Sequence, residues 1–323
     1  MPTNSELLSQ FGIALKKELK QHAILRLSGF DNDVRISRHL YDALIAAITN
    51  RSVRTVNLPK VMFGVELEFV GDVSAKNVAN FNKAMCHIFK EDYFSAGQYA
   101  HNDGSWWVLG KDSSIHWPST QISNPYGFEL SSPKMKFGDI RDSAQIIDAI
   151  ELVNTHLRGE TNSTCGTHVH IGFNCNGITR DVLQKILLAY SRLESKVFDP
   201  VVPTSRRRNK YCKRTTQYIG SKYQKLSARY CVFDLFTRDC RSIRFESRQL
   251  EGTLDYKTIM YWTTLQVYVL YDLFETITSN PESDYISKLE SKSIFDVLFS
   301  YDFTNDFISF FINRVIKFKS RTV

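Results

Sequence analysis

The fold is decided by the stretch Phe63-Gly64-Val65-Glu66-Leu67-Glu68-Phe69-Val70. It is apolar at nearly every position, yet it carries two carboxylates in its middle. Gly64 precedes them and Gly71-Asp72 follows, so the stretch predicts a short strand ending in a turn. Residues two apart in a strand share a face. Glu66 and Glu68 therefore project side by side, with Val65, Leu67 and Phe69 on the opposite face. Adjacent like charges repel, and a divalent cation removes the repulsion. Taken alone, the stretch also reads as an amphipathic strand with a wet acidic face.

Two stretches further along repeat this grammar. Cys165-Gly166-Thr167-His168-Val169-His170-Ile171-Gly172-Phe173 predicts a strand with His168 and His170 on one face. Ser242-Ile243-Arg244-Phe245-Glu246-Ser247-Arg248 predicts another, with Arg244, Glu246 and Arg248 on one face. Singly, these are compatible with half-exposed histidines and a surface salt-bridge ladder. Together they imply a sheet whose one face packs on helices and whose other face is lined with Glu, His and Arg. Such a face is costly unless it holds something. Carboxylates with an imidazole suit Mg²⁺ or Mn²⁺ better than zinc. Arginines beside them suit phosphate or carboxylate oxygens.

Between these strands, the spacing predicts strands at Trp106-Trp107-Val108-Leu109 and Gly127-Phe128-Glu129-Leu130, the latter stopped by Ser131-Ser132-Pro133. Asp112-Ser113-Ser114-Ile115 follows the first of them. Apolar repeats predict helices over 5–29, 37–49, 76–90, about 146–157, 179–198 and 255–279. Thr179 is placed to cap one of them, with Asp181 in its first turn, and Asn280-Pro281 ends the last. Ser205-Arg206-Arg207-Arg208-Asn209-Lys210-Tyr211-Cys212-Lys213-Arg214 is a basic loop. The division that follows is a helical N-terminal extension over 1–55, a catalytic domain over 56–282, and a helical C-terminal segment over 283–323 packed on it.

The 323 residues are 43% hydrophobic and 13% aromatic, which supports a packed core and excludes wholesale disorder. A net charge of +7 favours acidic partners such as nucleotides. The six cysteines, at 86, 165, 175, 212, 231 and 240, form no C-x-x-C and read as reduced thiols of a cytoplasmic protein. Met1-Pro2-Thr3-Asn4-Ser5-Glu6 lacks the features of a signal peptide. The most apolar run, Thr258 to Tyr271, contains Thr263, Thr264 and Gln266 and is too polar to span a bilayer.

The ordered set F-G-V-E-L-E-F, D-S-S-I, F-E-L-S-S-P, C-G-T-H-V-H-I-G-F, R-R-x-N-K-Y-C and I-R-F-E-S-R, from about residue 60 to 275, resembles the amidoligase family. These are carboxylate–amine ligases related to glutamine synthetase and glutamate–cysteine ligase. The resemblance implies an α+β fold: a curved antiparallel sheet of glutamine-synthetase-like type, helices on its outer face, and acids on its concave face. It implies ATP and Mg²⁺ (or Mn²⁺). It also implies metal ligands at Glu66, Glu68, Glu129, His168 and Glu246, with Glu68 and Glu129 on one metal and Glu66, His168 and Glu246 on another. Arg248 then lies near the transferred phosphoryl group, His170 lines the site, and Asp112 is a further ligand or substrate-positioning acid. Arg206, Arg208, Lys210 and Arg244 fit nucleotide phosphates, with Tyr211 packing on the nucleotide. The substrates implied are small-molecule or peptide carboxylates and amines, with no membrane involved and with oligomerisation left open.

Two other classes fit part of the pattern. A metal-dependent hydrolase would use the same Glu/His cluster without ATP, but leaves the R-x-E-x-R strand and the basic loop without a role. A nucleic-acid-binding protein would use the 206–214 loop and the net positive charge. It is the less favoured, because it leaves the acids without a role.

Overall fold

This structure, a computed structural model, describes residues 24–25, 34–35, 58, 61–89, 94–96, 105–174, 178–207, 210–215, 233–237, 242–281 and 284–319. Two short strands, β1 (Ile24–Leu25) and β2 (Val34–Arg35), pair antiparallel with each other. This corrects the helix expected over 5–29 at its C-terminal end. The apolar repeat that suggested that helix stops at Leu19, so nothing periodic holds Ile24 and Leu25 in it. The rest of that helix, and the one expected over 37–49, lie outside the described residues.

The acidic stretch forms β3 (Val61–Asp72), a 12-residue strand inside an eight-stranded sheet. The other strands are β4 (Phe94–Ala96), β5 (Trp107–Lys111), β6 (Pro125–Ser131), β7 (Met135–Lys136), β8 (Gly166–Asn174), β9 (Phe233–Thr237) and β10 (Ser242–Glu251). Their order is β4-β5-β6-β3-β8-β10-β9, with β7 paired to the start of β3. All pairings are antiparallel except β4 with β5. The sheet is open, so the fold is α+β.

Alternation separates its two faces. Val65, Leu67, Phe69, Val169, Ile171, Phe173 and Phe245 are buried on one side. Helices cover that side. In α1 (Ala75–Phe89), Phe81, Met85 and Phe89 recur every fourth residue and are buried, and Phe89 packs on Trp107 at 5.7 Å between ring centroids. Helix α2 (Ile140–Leu152) is capped by Asp139, which accepts from the backbone N–H of Arg141 and Asp142. It runs on into a π-helical turn, Val153–Leu157. Helix α3 (Arg180–Leu193) starts at Thr179, whose Oγ1 accepts from the Val182 N–H at 3.3 Å.

Helix α4 (Thr204–Arg207) is a single turn ahead of the basic loop. Helix α5 (Tyr256–Ser279) begins at an Asp255 cap that accepts from the Thr258 N–H at 3.0 Å. Phe173 meets two of its rings, Tyr271 at 5.9 Å and Phe274 at 5.7 Å. Truncating a phenylalanine in such a place costs about 3–5 kcal/mol, so this contact is a main tie between sheet and helix.

The helix expected over 179–198 keeps α geometry only to Leu193 and then widens into a π turn, Glu194–Phe198. Pro200 follows in a 3₁₀ turn, and with no N–H it cannot prolong an α-helix.

The chain divides into two compact units. One comprises Leu58–Ser191 and Ser205–Ser283 and contains the whole eight-stranded sheet. The other comprises Met1–Asn57, Arg192–Thr204 and Asp284–Val323. Its described part holds the β1–β2 pair and the helices α6 (Tyr285–Leu289), α7 (Ile294–Ser300) and α8 (Asn305–Lys319). A capping box of Ser293 and Asp296 starts α7. Within α8, Phe307 and Phe311 pack at 5.0 Å, and Arg314 donates from Nε to the Val201 carbonyl at 2.7 Å. No described helix is long and apolar enough to cross a membrane.

Candidate active site

Register across four strands builds the site. Glu66 on β3 lies opposite His168 on β8, and Glu68 lies opposite Glu129 on β6. Glu246 on β10 lies opposite His170. Directly opposed residues share a face, so four glutamates and two histidines converge on the side of the sheet away from α5.

His168, only 2% exposed, is the hub. Its Nδ1 is 2.9 Å from Glu66 Oε2 and 3.7 Å from Glu246 Oε1, and its Nε2 is 3.3 Å from Glu68 Oε1. His170 Nε2 stands 2.9 Å from Glu66 Oε1. Arg248 closes the cluster at 2.5 Å from Glu246 Oε1. A backbone and a side-chain donor hold two of the acids in turn. Gly166 N–H donates to Glu68 Oε2 at 2.5 Å, and the Ser131 hydroxyl donates to Glu129 Oε1 at 3.3 Å. Where β6 ends, Ser132 takes over the pairing with β3. Its backbone N–H donates to the Val65 carbonyl, and its Oγ accepts from the Val65 N–H, both at 2.8 Å.

Asp112 enters from the turn after β5. Its backbone N–H donates to the Gly127 carbonyl at 2.8 Å, and its Oδ1 accepts from Ser114 N–H at 2.7 Å. Gly127 is required here, because a Cβ on it would stand 2.3 Å from the Asp112 carbonyl oxygen.

The charges respond to this crowding. Burial pushes the Glu66 carboxyl up, but the charge on His170 and the hydrogen bond from His168 outweigh it and hold Glu66 well below the usual carboxylate range. Glu129 moves the other way: the Glu66 carboxylate, burial, Glu68 and Asp112 push it well above that range. Burial opposes a charge on His170, yet the Glu66 and Glu246 carboxylates raise its pKa. Burial likewise opposes the Arg248 charge, and Glu246 with three further glutamates reinforces it. The metal-free cluster is thus stabilised by the positive charge of His170 and Arg248.

The donor set fits a hard divalent cation. Three overlapping groups each present donor atoms within 4.8 Å of one another: Glu66, His170 and Glu246; Glu66, Glu129 and His168; Glu68, Asp112 and Glu129. Both ring nitrogens of His170 and Glu246 Oε1 are buried without a hydrogen bond of good alignment, as is Arg248 Nε. Their close approaches to charged neighbours are therefore electrostatic contacts, and Glu246 Oε1 is a free acceptor of the kind a cation satisfies.

Among these candidate groups, His170 falls with Glu66 and Glu246, and His168 falls with Glu66 and Glu129.

The basic residues lie in different settings. Lys210 is exposed, with Nζ 4.7 Å above the half-buried Tyr211 ring. Arg244 is exposed on β10 opposite Gly172, two register positions from the Glu246–His170 pair. Arg208 lies outside the described residues. Arg206, by contrast, is 2% exposed and donates from its guanidinium to the Arg248 carbonyl at 2.6 Å. Sequence reasoning missed Ser132, Cys212 and the Gly166 N–H. The glycine within C-G-T-H was the one signal that pointed to a close backbone approach.

A family model described as "Putative amidoligase enzyme" matches residues 59–232, more than half of the chain. The chain therefore belongs to the amidoligase family. Among solved structures, it is similar to the complex between prokaryotic ubiquitin-like protein Pup and its ligase PafA, at 13% sequence identity and a TM-score of 0.29. That alignment covers 72% of this chain and 52% of the matched one, so the chain spans about half of that protein's length. No curated protein matches the sequence.

Proposed function

We propose that the protein is an ATP- and Mg²⁺- (or Mn²⁺-) dependent carboxylate–amine ligase with a glutamine-synthetase-like site. The observation that carries this reading is the set of three overlapping donor groups, two of them with an imidazole, beside Arg248 in a member of the amidoligase family. The catalytic domain is residues 56–282, and the N-terminal and C-terminal parts flank it.

The chemistry follows from the substrate. A carboxylate is a poor electrophile, because its carbon carries no leaving group. Its oxygen attacks the γ-phosphorus of ATP, the bond to the β-phosphate oxygen breaks, and an acyl phosphate and ADP result. The amine nitrogen then attacks the acyl carbon and loses a proton, and inorganic phosphate leaves with the electron pair of the broken bond.

Phosphoryl transfer needs positioning and charge neutralisation more than covalent help. Glu66, Glu68, Glu129, Glu246, His168, His170 and Asp112 would hold divalent metal, which supplies charge neutralisation on the phosphates. Arg248 donates to the phosphoryl group in flight, held in place by Glu246. Arg244 and Lys210 steer the nucleotide, and Tyr211 packs on it. Asp112, half-buried beside Glu68 and Glu129, is a further ligand or substrate-positioning acid, and a carboxylate of the site takes the amine's proton. The substrates are small-molecule or peptide carboxylates and amines.

The test is ADP and phosphate release from ATP and Mg²⁺, alone and with pooled amino acids, polyamines and peptidoglycan peptides. ADP release that requires both a carboxylate and an amine supports the ligase. Absence of ATP turnover with every pool, together with no nucleotide binding by calorimetry, sinks it and favours the hydrolase. Glu246→Ala should lower ligation more than about 100-fold while the protein stays folded, since even outer-shell changes cost 10–100-fold. Undiminished turnover by that variant would remove Glu246 from the site.

A further inference from the structure

Strand β10 carries an irregularity beside the reacting groups. Ser247 opposes Val169 and Leu250 opposes Thr167, so Arg248 and Gln249 together face the single residue His168. This is a β-bulge, and bulges re-aim side chains near functional sites. Regular alternation would place Leu250 on the acidic face with Glu246 and Arg248. The bulge moves it to the side of Thr167, where both residues are 0% exposed.

A bulge also interrupts the ladder, and the freed backbone groups need other partners. The Arg248 carbonyl finds two. Arg206 donates to it at 2.6 Å and the Cys212 thiol at 3.0 Å. Burial pushes the Cys212 thiol up to about 11, so it remains a donor. From the helix side, Tyr190 Oη on α3 approaches Gln249 Oε1 at 3.4 Å and Gln266 Oε1 on α5 at 3.1 Å.

The pocket for Arg206 depends on Gly166. A Cβ there would stand 2.3 Å from one guanidinium nitrogen of Arg206. The N–H of the same glycine holds Glu68. A guanidinium buried this deeply is costly unless its bonds serve a purpose.

We propose that Arg206 and Cys212 clamp the Arg248 peptide and thereby set the Arg248 guanidinium, so that Arg206 is a positioning residue and not a phosphate contact. Arg206→Met removes the donors and keeps the bulk, and Arg206→Lys restores one donor. The first readout is the side-chain Nε–H NMR signal of Arg248, assigned by its loss in Arg248→Lys; it needs neither nucleotide nor metal. The clamp broadens or shifts this signal in Arg206→Met and partly restores it in Arg206→Lys. An Arg248 signal unchanged in Arg206→Met overturns the inference.

The second readout is ATP consumption, and this arm rests on the ligase reading. Arg206→Met lowers kcat about 10–100-fold, leaves KM for ATP little changed, and adds nothing in an Arg248→Lys background. Losses that multiply in the double variant overturn the inference. If the wild type consumes no ATP, the ligase reading fails by itself, and the NMR arm still decides the clamp. Should Arg206→Met not fold, Cys212→Ala, which removes only the weaker donor, replaces it in both arms.

Discussion

Replacing Glu129 with glutamine should stabilise the metal-free protein and destabilise the metal-bound one. Glu129 lies opposite Glu68 in the sheet and belongs to two of the three candidate metal groups. Two unit charges at the 4.8 Å limit of such a group repel by about 3 kcal/mol at an effective dielectric of about 20. Arg248 offsets part of this, and the new amide must find partners. A net gain of roughly 1–2 kcal/mol for Glu129→Gln without metal is therefore expected, or roughly 2–8 °C in Tm.

The pH dependence has a definite sign. The folded Glu129 pKa lies above its unfolded value, so its contribution is present below the unfolded pKa. That contribution is lost as pH rises through the folded pKa. Glu129→Gln removes that decline. With Mn²⁺ at about 100 times its Kd, the wild type gains about 2.7 kcal/mol, and an approximately hundredfold loss of affinity removes nearly all of it. Thermal melts in EDTA and in saturating Mn²⁺ should therefore rank the two proteins in opposite orders. A variant that melts lower than wild type in EDTA, or higher than it in Mn²⁺, would refute the electrostatic account of this site.

Three further expectations concern the scaffold. Gly127→Ala drives a methyl group into the Asp112 carbonyl and should cost about 1–3 kcal/mol. It should also weaken Mn²⁺ binding, and unchanged calorimetry would show that Asp112 plays no part in it. Burial pushes the Cys165 and Cys212 thiols up to about 11, whereas Cys86 is half-buried. Iodoacetamide at pH 8 should therefore label Cys86 before the other two, as read by peptide mass spectrometry; equal labelling would contradict the packing around Cys165 and Cys212. Asp255→Ala removes the cap of α5 and should lower stability by about 1 kcal/mol in a chemical denaturation curve, with no effect on metal binding.

The sequence by itself determined which residues share a face. Strand alternation is local, with a period of two. Glu66 with Glu68 and His168 with His170 were therefore legible from single stretches, as were the apolar partners that pack on helices. The cap at Thr179 and the stop at Asn280 were legible for the same reason, since each is an interaction between near neighbours in the chain. The strand at Ile24–Leu25 was missed, because its partner lies ten residues away and leaves no local period.

Tertiary structure alone decided the rest. Which acid meets which histidine depends on register between strands about a hundred residues apart, and a one-residue slip would exchange the faces. It set Glu66 against His168 and Glu246 against His170, and so brought His170 into a candidate metal group with both acids. The bulge at Arg248 and the burial of Arg206 were equally invisible. An arginine in a basic loop reads as solvated, and only the missing side chain of Gly166, 40 residues earlier, makes room to bury it. Local sequence carries the periodicity of each strand, whereas burial and long-range pairing are properties of how the strands are brought together.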